Sequence, residues 1–123
     1  MSPELLFLIS LSLIILMKIV CFILTGPKTI GYGGWQGFKS VFSGGGGIIY
    51  AITQDGNLLW YKDSTRNGTG EVANPKLIGR GGWQGYKNVL SSGDGNIYAI
   101  TQDGNLLWYK DTQRNGTGEV DNS

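Results

Sequence analysis

The stretch that decides the fold is IYAITQDGNLLWYK at residues 49–62, and it recurs letter for letter at residues 97–110. The same offset of 48 residues relates the rest of the second half of the chain to the first half without a gap. Repeats of about 40 to 50 residues that hold several short strands are typical of β-propeller blades. The sequence therefore predicts two blades, at residues 27–74 and 75–123, behind a separate hydrophobic segment at residues 1–26.

Each repeat is predicted to form four short antiparallel strands, which makes the fold class all-β. Asp55-Gly56 is a strong signal for a hairpin, because a type I′ turn needs positive φ angles and this dipeptide supplies them. Apolar side chains fall on both faces of the following strand, as expected for a sheet that is covered on both sides. The predicted strands of the first unit are Phe38–Phe42, Ile48–Thr53, Asn57–Lys62 and Lys76–Ile78.

The phase of the repeat predicts that several copies assemble. The repeated region begins with a fourth strand, at Pro27–Gly31, and stops before the fourth strand of the second blade. A closed propeller needs about four to eight blades, whereas the chain supplies two. Because an unpaired strand edge invites association, we expect the first strand of one copy to complete the last blade of a neighbour. The prediction is a β-propeller ring closed by homo-oligomerisation, and the alternative is a fragment that joins other blades.

The N-terminal segment contains an apolar run, Leu5–Leu24, in which Lys18 is the one charged residue. About 20 apolar residues in a helix span the roughly 30 Å core of a bilayer. The run therefore predicts a hydrophobic N-terminal helix that associates with a membrane. A cleaved signal peptide is the alternative, although Glu4 stands where a positive charge is usual. An extension that drives association is a third interpretation. A membrane helix would leave the repeats anchored and outside the membrane, and a cleaved signal peptide would leave them secreted.

Composition argues against several classes of function. The chain has no histidine, and its single cysteine, Cys21, lies in the apolar run. The commonest general base and metal ligand is therefore absent from the sequence. A net charge of +1 gives no basic face for nucleic acid. Carboxylates fall in turns and recur by duplication, so their pairing does not indicate acid–base catalysis. We predict a protein that is not an enzyme, with no catalytic residue, no metal, no cofactor and no nucleic-acid partner.

A family resemblance lies in the order of motifs along each repeat. Gly-Gly-Trp and an aromatic strand are followed by Ile-Tyr-Ala-Ile, Leu-Trp-Tyr-Lys and Lys-Leu-Ile-Gly. This order resembles the tachylectin-type β-propeller lectins over Pro27–Asn122. The resemblance implies a carbohydrate-binding lectin that recognises N-acetylated amino sugars, of the GlcNAc or GalNAc type, in pockets between blades. Residues 67–72 stand where that family often has an Asp-Asn-Trp element.

The resemblance and the side-chain chemistry together predict the sugar-binding residues. The indole of each Gly-Gly-Trp motif can stack on the apolar face of a sugar, or can fill the gap between blades. The glutamine that follows each tryptophan can donate to sugar hydroxyl groups. The predicted set is Gly34, Trp35, Gln36 and Asn67 in the first repeat, and Gly82, Trp83, Gln84 and Asn115 in the second.

Other interpretations of the same motifs remain open at the level of sequence. Residues 97–108 look like the blade motif of quinoprotein propellers, although the missing histidine argues against a redox enzyme. Residues 53–61 are similar to the motif of bulb-type mannose lectins. Residues 63–68 have the beginning of a calcium loop without its closing acidic residue, and a polar turn is the simpler interpretation. A structural or protein-interaction propeller without a sugar site is the alternative function.

Overall fold

The computed structural model describes residues 26–120, and over this range the protein is built from strands and turns. The all-β prediction is confirmed, since the regular helical structure described is limited to two three-residue 3-10 turns, Trp35–Gly37 and Trp83–Gly85. The strands, in chain order, are β1 (Ser40–Gly45), β2 (Ile48–Ile52), β3 (Leu58–Lys62), β4 (Lys76–Gly79), β5 (Asn88–Gly93), β6 (Asn96–Ile100) and β7 (Leu106–Lys110).

The first four strands form one antiparallel sheet in the order β1-β2-β3-β4, which we call blade 1. A hairpin is present at Asp55-Gly56, and the Gly56 amide donates to the Thr53 carbonyl at 3.1 Å. The predicted type I′ turn is wrong, because Gly56 has φ of 97° but Asp55 does not have a positive φ. The first strand starts two residues later than predicted and runs on to Gly45. The extension is possible because the pairing of β1 with β2 shifts register between Ser43 and Gly45, which lets the glycine-rich stretch stay in the sheet.

The second sheet, blade 2, has three described strands in the order β5-β6-β7. The sequence equivalent of β4 for this blade is Pro27–Gly31, which lies at the other end of the chain. That segment has no strand partner in the described residues. It is bound to blade 1 by the same kind of backbone hydrogen bond that binds β4 to blade 2. The Val72 amide donates to the Ile30 carbonyl at 2.6 Å, and the Val120 amide donates to the Ile78 carbonyl at the same distance.

The two blades pack face to face through a shared apolar core. Blade 1 contributes Tyr50 and Leu58, which are fully buried, while Val89 and Ile97 contribute from blade 2. Strands β1 and β5 are the closest elements of the two sheets. At one end of this interface the Tyr50 hydroxyl donates to the Asp111 carboxylate at 2.7 Å. Asp111 is only 3% exposed, so the hydrogen bond satisfies a buried charge and ties the blades together.

The hydrophobic run Leu5–Leu24 lies outside the described residues. Within residues 26–120 no helix is long and apolar enough to cross a membrane. The predicted N-terminal helix therefore stays a prediction.

Replacing Gly95 by alanine will destabilise the protein more than replacing Gly46. Gly95 has φ of +80°, and a Cβ there would overlap the backbone carbonyl oxygen of Asp111. Gly46 also has positive φ, but a Cβ there would meet only the Arg114 side chain, at an ordinary contact distance of 3.6 Å, and Asp94 at the equivalent position adopts φ of 54° with a side chain. We expect Gly95→Ala to lower the free energy of unfolding by at least about 1 kcal/mol more than Gly46→Ala in urea titrations. Equal losses in the free energy of unfolding of the two variants would contradict the clash between the added Cβ at residue 95 and the Asp111 carbonyl oxygen.

Replacing Tyr50 by phenylalanine will destabilise the protein in a pH-dependent way. Burial, and then the hydrogen bond to Asp111, raise the pKa of the Tyr50 hydroxyl. Its stabilisation is therefore fully present below the ordinary tyrosine pKa of about 10 and is lost as pH rises above it. At neutral pH we expect Tyr50→Phe to lower the free energy of unfolding by about 1 to 3 kcal/mol. The difference from the wild type should narrow above about pH 10.

The matched control is Tyr32→Phe, because the Tyr32 side chain is exposed and its hydroxyl donates to Thr29 at the surface. That variant should lie within about 0.5 kcal/mol of the wild type. A Tyr50→Phe variant that is equally unaffected, or whose deficit grows at high pH, would show that the buried hydrogen bond does not join the blades.

Candidate functional site

A pocket of about 210 Å³ lies between the two blades, where β1 and β5 begin and the second 3-10 turn packs against blade 1. Residues from both blades form its wall, so neither sheet makes the pocket alone. We call it the inter-blade pocket. It is lined by Lys39, Ser40 and Ile52 of blade 1 and by Trp83, Tyr86, Lys87, Asn88 and Val89 of blade 2.

Trp83 forms the inner wall of the inter-blade pocket. Gly82 takes a left-handed conformation with φ of 88°, and the 3-10 turn that follows directs the indole toward the core. The Trp83 amide donates to the Gly56 carbonyl at 3.2 Å, which fixes the turn on the hairpin of blade 1. The indole packs between the rings of Tyr86 and Tyr109, with centroid distances of 5.6 and 4.7 Å. Trp83 is 2% exposed, so most of its surface fills the gap between the blades.

The hydroxyl groups of Tyr86 and Tyr109 share a short hydrogen bond near this wall. Burial, and then the hydrogen bond with Tyr86, raise the pKa of Tyr109. Tyr109 does not line the inter-blade pocket itself, and it contributes to the site by packing on Trp83 and bonding Tyr86.

The rim of the inter-blade pocket carries hydrogen-bond donors. The Lys39 ammonium donates to the Gln84 carbonyl at 2.5 Å and bridges the blades across the pocket. Asn88 accepts the Val89 amide through its Oδ1 at 2.9 Å, which leaves its Nδ2 group without a protein partner in the described chain. The Ser40 hydroxyl likewise makes no hydrogen bond to the described residues. Donors thus stand above an apolar wall, an arrangement that fits a small polar ligand with one apolar side.

These rim residues were missed by reasoning from the sequence. Ser40 and Asn88 occupy equivalent positions at the start of the first strand of each blade, two residues after the aromatic residue that follows Gly-Gly-Trp. Their polar character was visible, but nothing in the sequence indicated that a neighbouring blade would bring Lys39 and Asn88 to the same pocket.

The second predicted glutamine, Gln84, has two roles at the edge of the pocket. Its backbone carbonyl receives the Lys39 ammonium. Its side-chain Oε1 is buried without a hydrogen-bond partner and lies against Gly56. An unpaired buried carbonyl oxygen is costly, and Gln84 does not itself line the inter-blade pocket.

The equivalent residues of the first repeat lie on the outer face of blade 1. Gly34 has the same left-handed conformation as Gly82, and Trp35 packs between Phe38 and Tyr61 as Trp83 packs between its two tyrosines. Gln36 is exposed. Trp35 borders an open apolar cavity of about 320 Å³ on this face. Blade 1 covers Trp83, but no described residue of the chain covers the cavity beside Trp35 in the same way. The cavity is lined by Ile30, Gly31, Trp35, Val41, Ile49 and Val72.

Asn67 and Asn115 lie in exposed loops and do not line the inter-blade pocket. The Asn67 Oδ1 accepts the Thr69 amide at 3.0 Å, and the Asn115 Oδ1 accepts the Thr117 amide at 3.0 Å. Each carbonyl oxygen thus closes a local turn, in keeping with the turn interpretation of these loops. The predicted residues therefore separate into three places: the inter-blade pocket, the outer face of blade 1, and the two loops.

The inter-blade pocket has the lining of a site for a small ligand. Residues 26–120 contain no group of three or more acidic, cysteine or histidine side chains placed to hold a metal ion. The inter-blade pocket combines ammonium, hydroxyl and amide donors with aromatic and aliphatic walls. Sites that recognise small neutral ligands are usually built from a few fixed polar groups on a largely apolar surface.

Comparison with known proteins agrees with this geometry. A comparison with protein families matches the Tachylectin family over residues 21–121, which includes both blades. A search of curated proteins finds no match. The family match covers most of the chain and rests on the whole double repeat. The chain therefore belongs to the Tachylectin family of carbohydrate-binding lectins.

Proposed function

We propose that the inter-blade pocket binds N-acetylated amino sugars of the GlcNAc or GalNAc type. The observation that carries this proposal is the set of donors, on Ser40, Lys87 and Asn88, above an apolar wall that includes Trp83. An acetamido group has one carbonyl acceptor and one methyl group, so it needs a donor and an apolar contact side by side. The inter-blade pocket offers both within one opening.

The bound sugar would use the two sides of the pocket differently. The Asn88 Nδ2 group donates to the acetamido carbonyl, while the methyl group packs on Ile52 and Val89. Ser40 and Lys87 face the ring hydroxyl groups. Trp83 contributes its exposed edge as a wall, since its face is used in the core. Gly82 and Gln84 act indirectly by holding Trp83 and Lys39 in place.

The corresponding residues of blade 1 form the same kind of half-site. We assign Gly34, Trp35 and Gln36 to a second sugar pocket, which a further blade would complete. Asn67 and Asn115 are assigned to the structure of their turns. This assignment rests on the equivalence of the two repeats and on the matching ring geometry of Trp35 and Trp83.

The proposed lectin acts as a homo-oligomer with several pockets. Single sugar sites are weak, and linking several on one particle raises avidity by about 10² to 10⁴ where the geometry allows. The unfinished second sheet supports assembly, because β7 is an open edge in the described chain. We further propose that residues 5–24 associate this particle with a membrane or direct its secretion, which keeps the sugar pockets outside.

A protein-interaction propeller without a sugar site is the second candidate function. The open apolar cavity beside Trp35 favours it, because that cavity has the lining of a protein contact. The two candidates differ in what happens when free sugar is added, since only the lectin should respond.

Replacing Asn88 by alanine will weaken binding of N-acetylglucosamine. Loss of one neutral hydrogen bond corresponds to about tenfold in affinity, which NMR titration of the full chain can measure. The control is Gln113→Ala, which removes an exposed side-chain amide outside the pocket.

We expect N-acetylglucosamine and N-acetylgalactosamine to bind to the wild type, and glucose to bind at least about tenfold more weakly. Unchanged affinity in Asn88→Ala, or equal binding of glucose, would refute the assignment of the acetamido contact.

A further inference from the structure

The open edge of β7 differs sharply from the equivalent edge of blade 1. Leu58 on β3 is fully buried beneath β4 and the second 3-10 turn, whereas Leu106 on β7 is 66% exposed. Gly56 is buried against Gln84, while its equivalent Gly104 is exposed. Trp108 is also exposed. Blade 2 thus presents apolar side chains and unpaired backbone groups at one edge, and soluble proteins normally cover such an edge.

The segment at residues 27–37 is already shaped like the element that covers blade 1. Residues 27–37 contact blade 1 in the same way as β4 and the following 3-10 turn contact blade 2. Lys28 lies over Gly68 as Lys76 lies over Gly116, and a Cβ on Gly31 would meet the Trp35 indole as one on Gly79 would meet Trp83. The other edge of the segment has no strand partner. The segment can therefore accept a strand without rearranging.

The outer faces of the two blades carry the same side-chain types that meet inside the chain. Val89 is 4% exposed in the core between the blades, while its equivalent Val41 is 46% exposed on the outer face of blade 1. On the outer face of blade 2, Leu90 and Leu106 are exposed where Phe42 and Leu58 are covered in blade 1. The chain's own blade-to-blade contact is thus a template for a contact between copies.

We propose that a second copy of this chain docks head to tail, so that β7 of one copy pairs with residues 28–31 of the next. The register follows the β3–β4 pairing, in which Trp60 faces Lys76, Leu59 faces Leu77 and Leu58 faces Gly79. Shifted by one repeat, Trp108 faces Lys28, Leu107 faces Thr29 and Leu106 faces Gly31 of the neighbour. The inference rests on the proposed homo-oligomeric lectin and specifies its interface.

The docked copy also completes the second sugar pocket. One copy supplies Lys87, Asn88 and Ile100, and the next supplies Trp35, Phe38 and Ser40, by equivalence with the lining of the inter-blade pocket. Each pocket then contains one serine and one asparagine at its rim. Neither copy can form this pocket alone, so the partner contributes residues to the site.

Polar groups at the proposed interface also match. The Tyr98 hydroxyl has no partner in the described chain, and its repeat equivalent Tyr50 bonds Asp111. Between copies Tyr98 meets Asp63, the equivalent of Asp111. Gly46 lies next to Arg114 across the blades, and the corresponding pair between copies is Asp94 and Arg66. Asp94 already lies 3.7 Å from the Arg114 guanidinium of its own chain, so between copies its carboxylate would lie beside two guanidinium groups.

A head-to-tail contact repeats at each copy and closes a ring if the rotation permits. The rotation from blade 2 of one copy to blade 1 of the next equals the rotation between blades 1 and 2 of one chain, since the contact uses the same surfaces. A ring of about four to eight blades then contains about two to four copies. A mismatch in rotation would instead give an open filament, so a closed particle is part of the proposal.

Cysteine cross-linking tests the register on the full chain, in a Cys21→Ser background that removes the native thiol. Thr29→Cys with Leu107→Cys should give covalent oligomers on oxidation, because the two positions face each other between copies. Leu59→Cys with Leu77→Cys is the matched control, since these residues are paired within one chain. It should give an intrachain bridge and no oligomer. Thr29→Cys with Leu106→Cys should cross-link poorly, because neighbouring strand residues point to opposite faces.

A monomeric product from the Thr29–Leu107 pair, alongside a bridged intrachain control, would overturn the docking. Equal yields from the Leu107 and Leu106 pairs would overturn the register. The test needs no sugar, so cross-linking without sugar binding would refute the lectin function and support the interface. Sugar binding by a chain that fails to cross-link would support the lectin function and refute the interface.

Charge reversal provides a second readout that does not depend on disulfide geometry. Asp94→Arg places like charges at the contact with Arg66 of the neighbour and should raise the dissociation constant of the oligomer by about tenfold or more. The same change also removes the pair with Arg114 of its own chain, so adding Arg66→Asp should restore only the part of the loss that comes from the contact between copies. Glu71→Lys makes the same change of charge at an exposed site and should leave the oligomer unchanged, as sedimentation can show. An Asp94→Arg variant that associates like the wild type would contradict the proposed ion pair and the docking mode.

Discussion

Each sheet of this protein has apolar side chains on both faces, and the rest of the structure depends on covering them. A single sheet cannot do this, because one face would always meet water. The chain solves the problem once, by packing blade 1 on blade 2 around Leu58, Trp83 and Ile97. Burial of a large apolar side chain contributes about 1.5 to 3 kcal/mol, and several such side chains are buried in this contact.

The candidate functional site is a consequence of the same packing. The inter-blade pocket opens where the two sheets diverge at the starts of β1 and β5, and both blades supply its residues. Trp83 belongs at once to the core and to the pocket wall. Its burial keeps the pocket shape fixed, and fixed polar groups bind with a smaller loss of conformational freedom. A change that loosens the blade contact should therefore weaken ligand binding even without touching the rim.

The sequence predicted the strands and the hairpin well, because those depend on local chemistry. Asp55-Gly56 marks the position of the hairpin within a few residues, and short runs of apolar and aromatic residues mark β2 and β3. The turn type was not predicted correctly, since only Gly56 of the pair takes a positive φ. The length of β1 was missed, since a register shift at Ser43 and Gly45 depends on the partner strand. The Gly-Gly-Trp motif pointed to Trp83, which lines the inter-blade pocket, and to Gln84, whose carbonyl accepts from Lys39 at its edge, while their role in sugar binding stays a prediction. It could not find Lys39 and Asn88 as neighbours, because they come together only through packing between blades.

The number of sugars bound per chain tests the central claim most directly, namely that one blade-to-blade contact is used both within and between copies. Equilibrium dialysis of the full chain against labelled N-acetylglucosamine can give this number at saturation. Two sugars per chain are predicted, one in the inter-blade pocket and one in the pocket that a neighbouring copy completes. One sugar per chain in an assembled particle would contradict the account, because the outer face of blade 1 would then form no pocket.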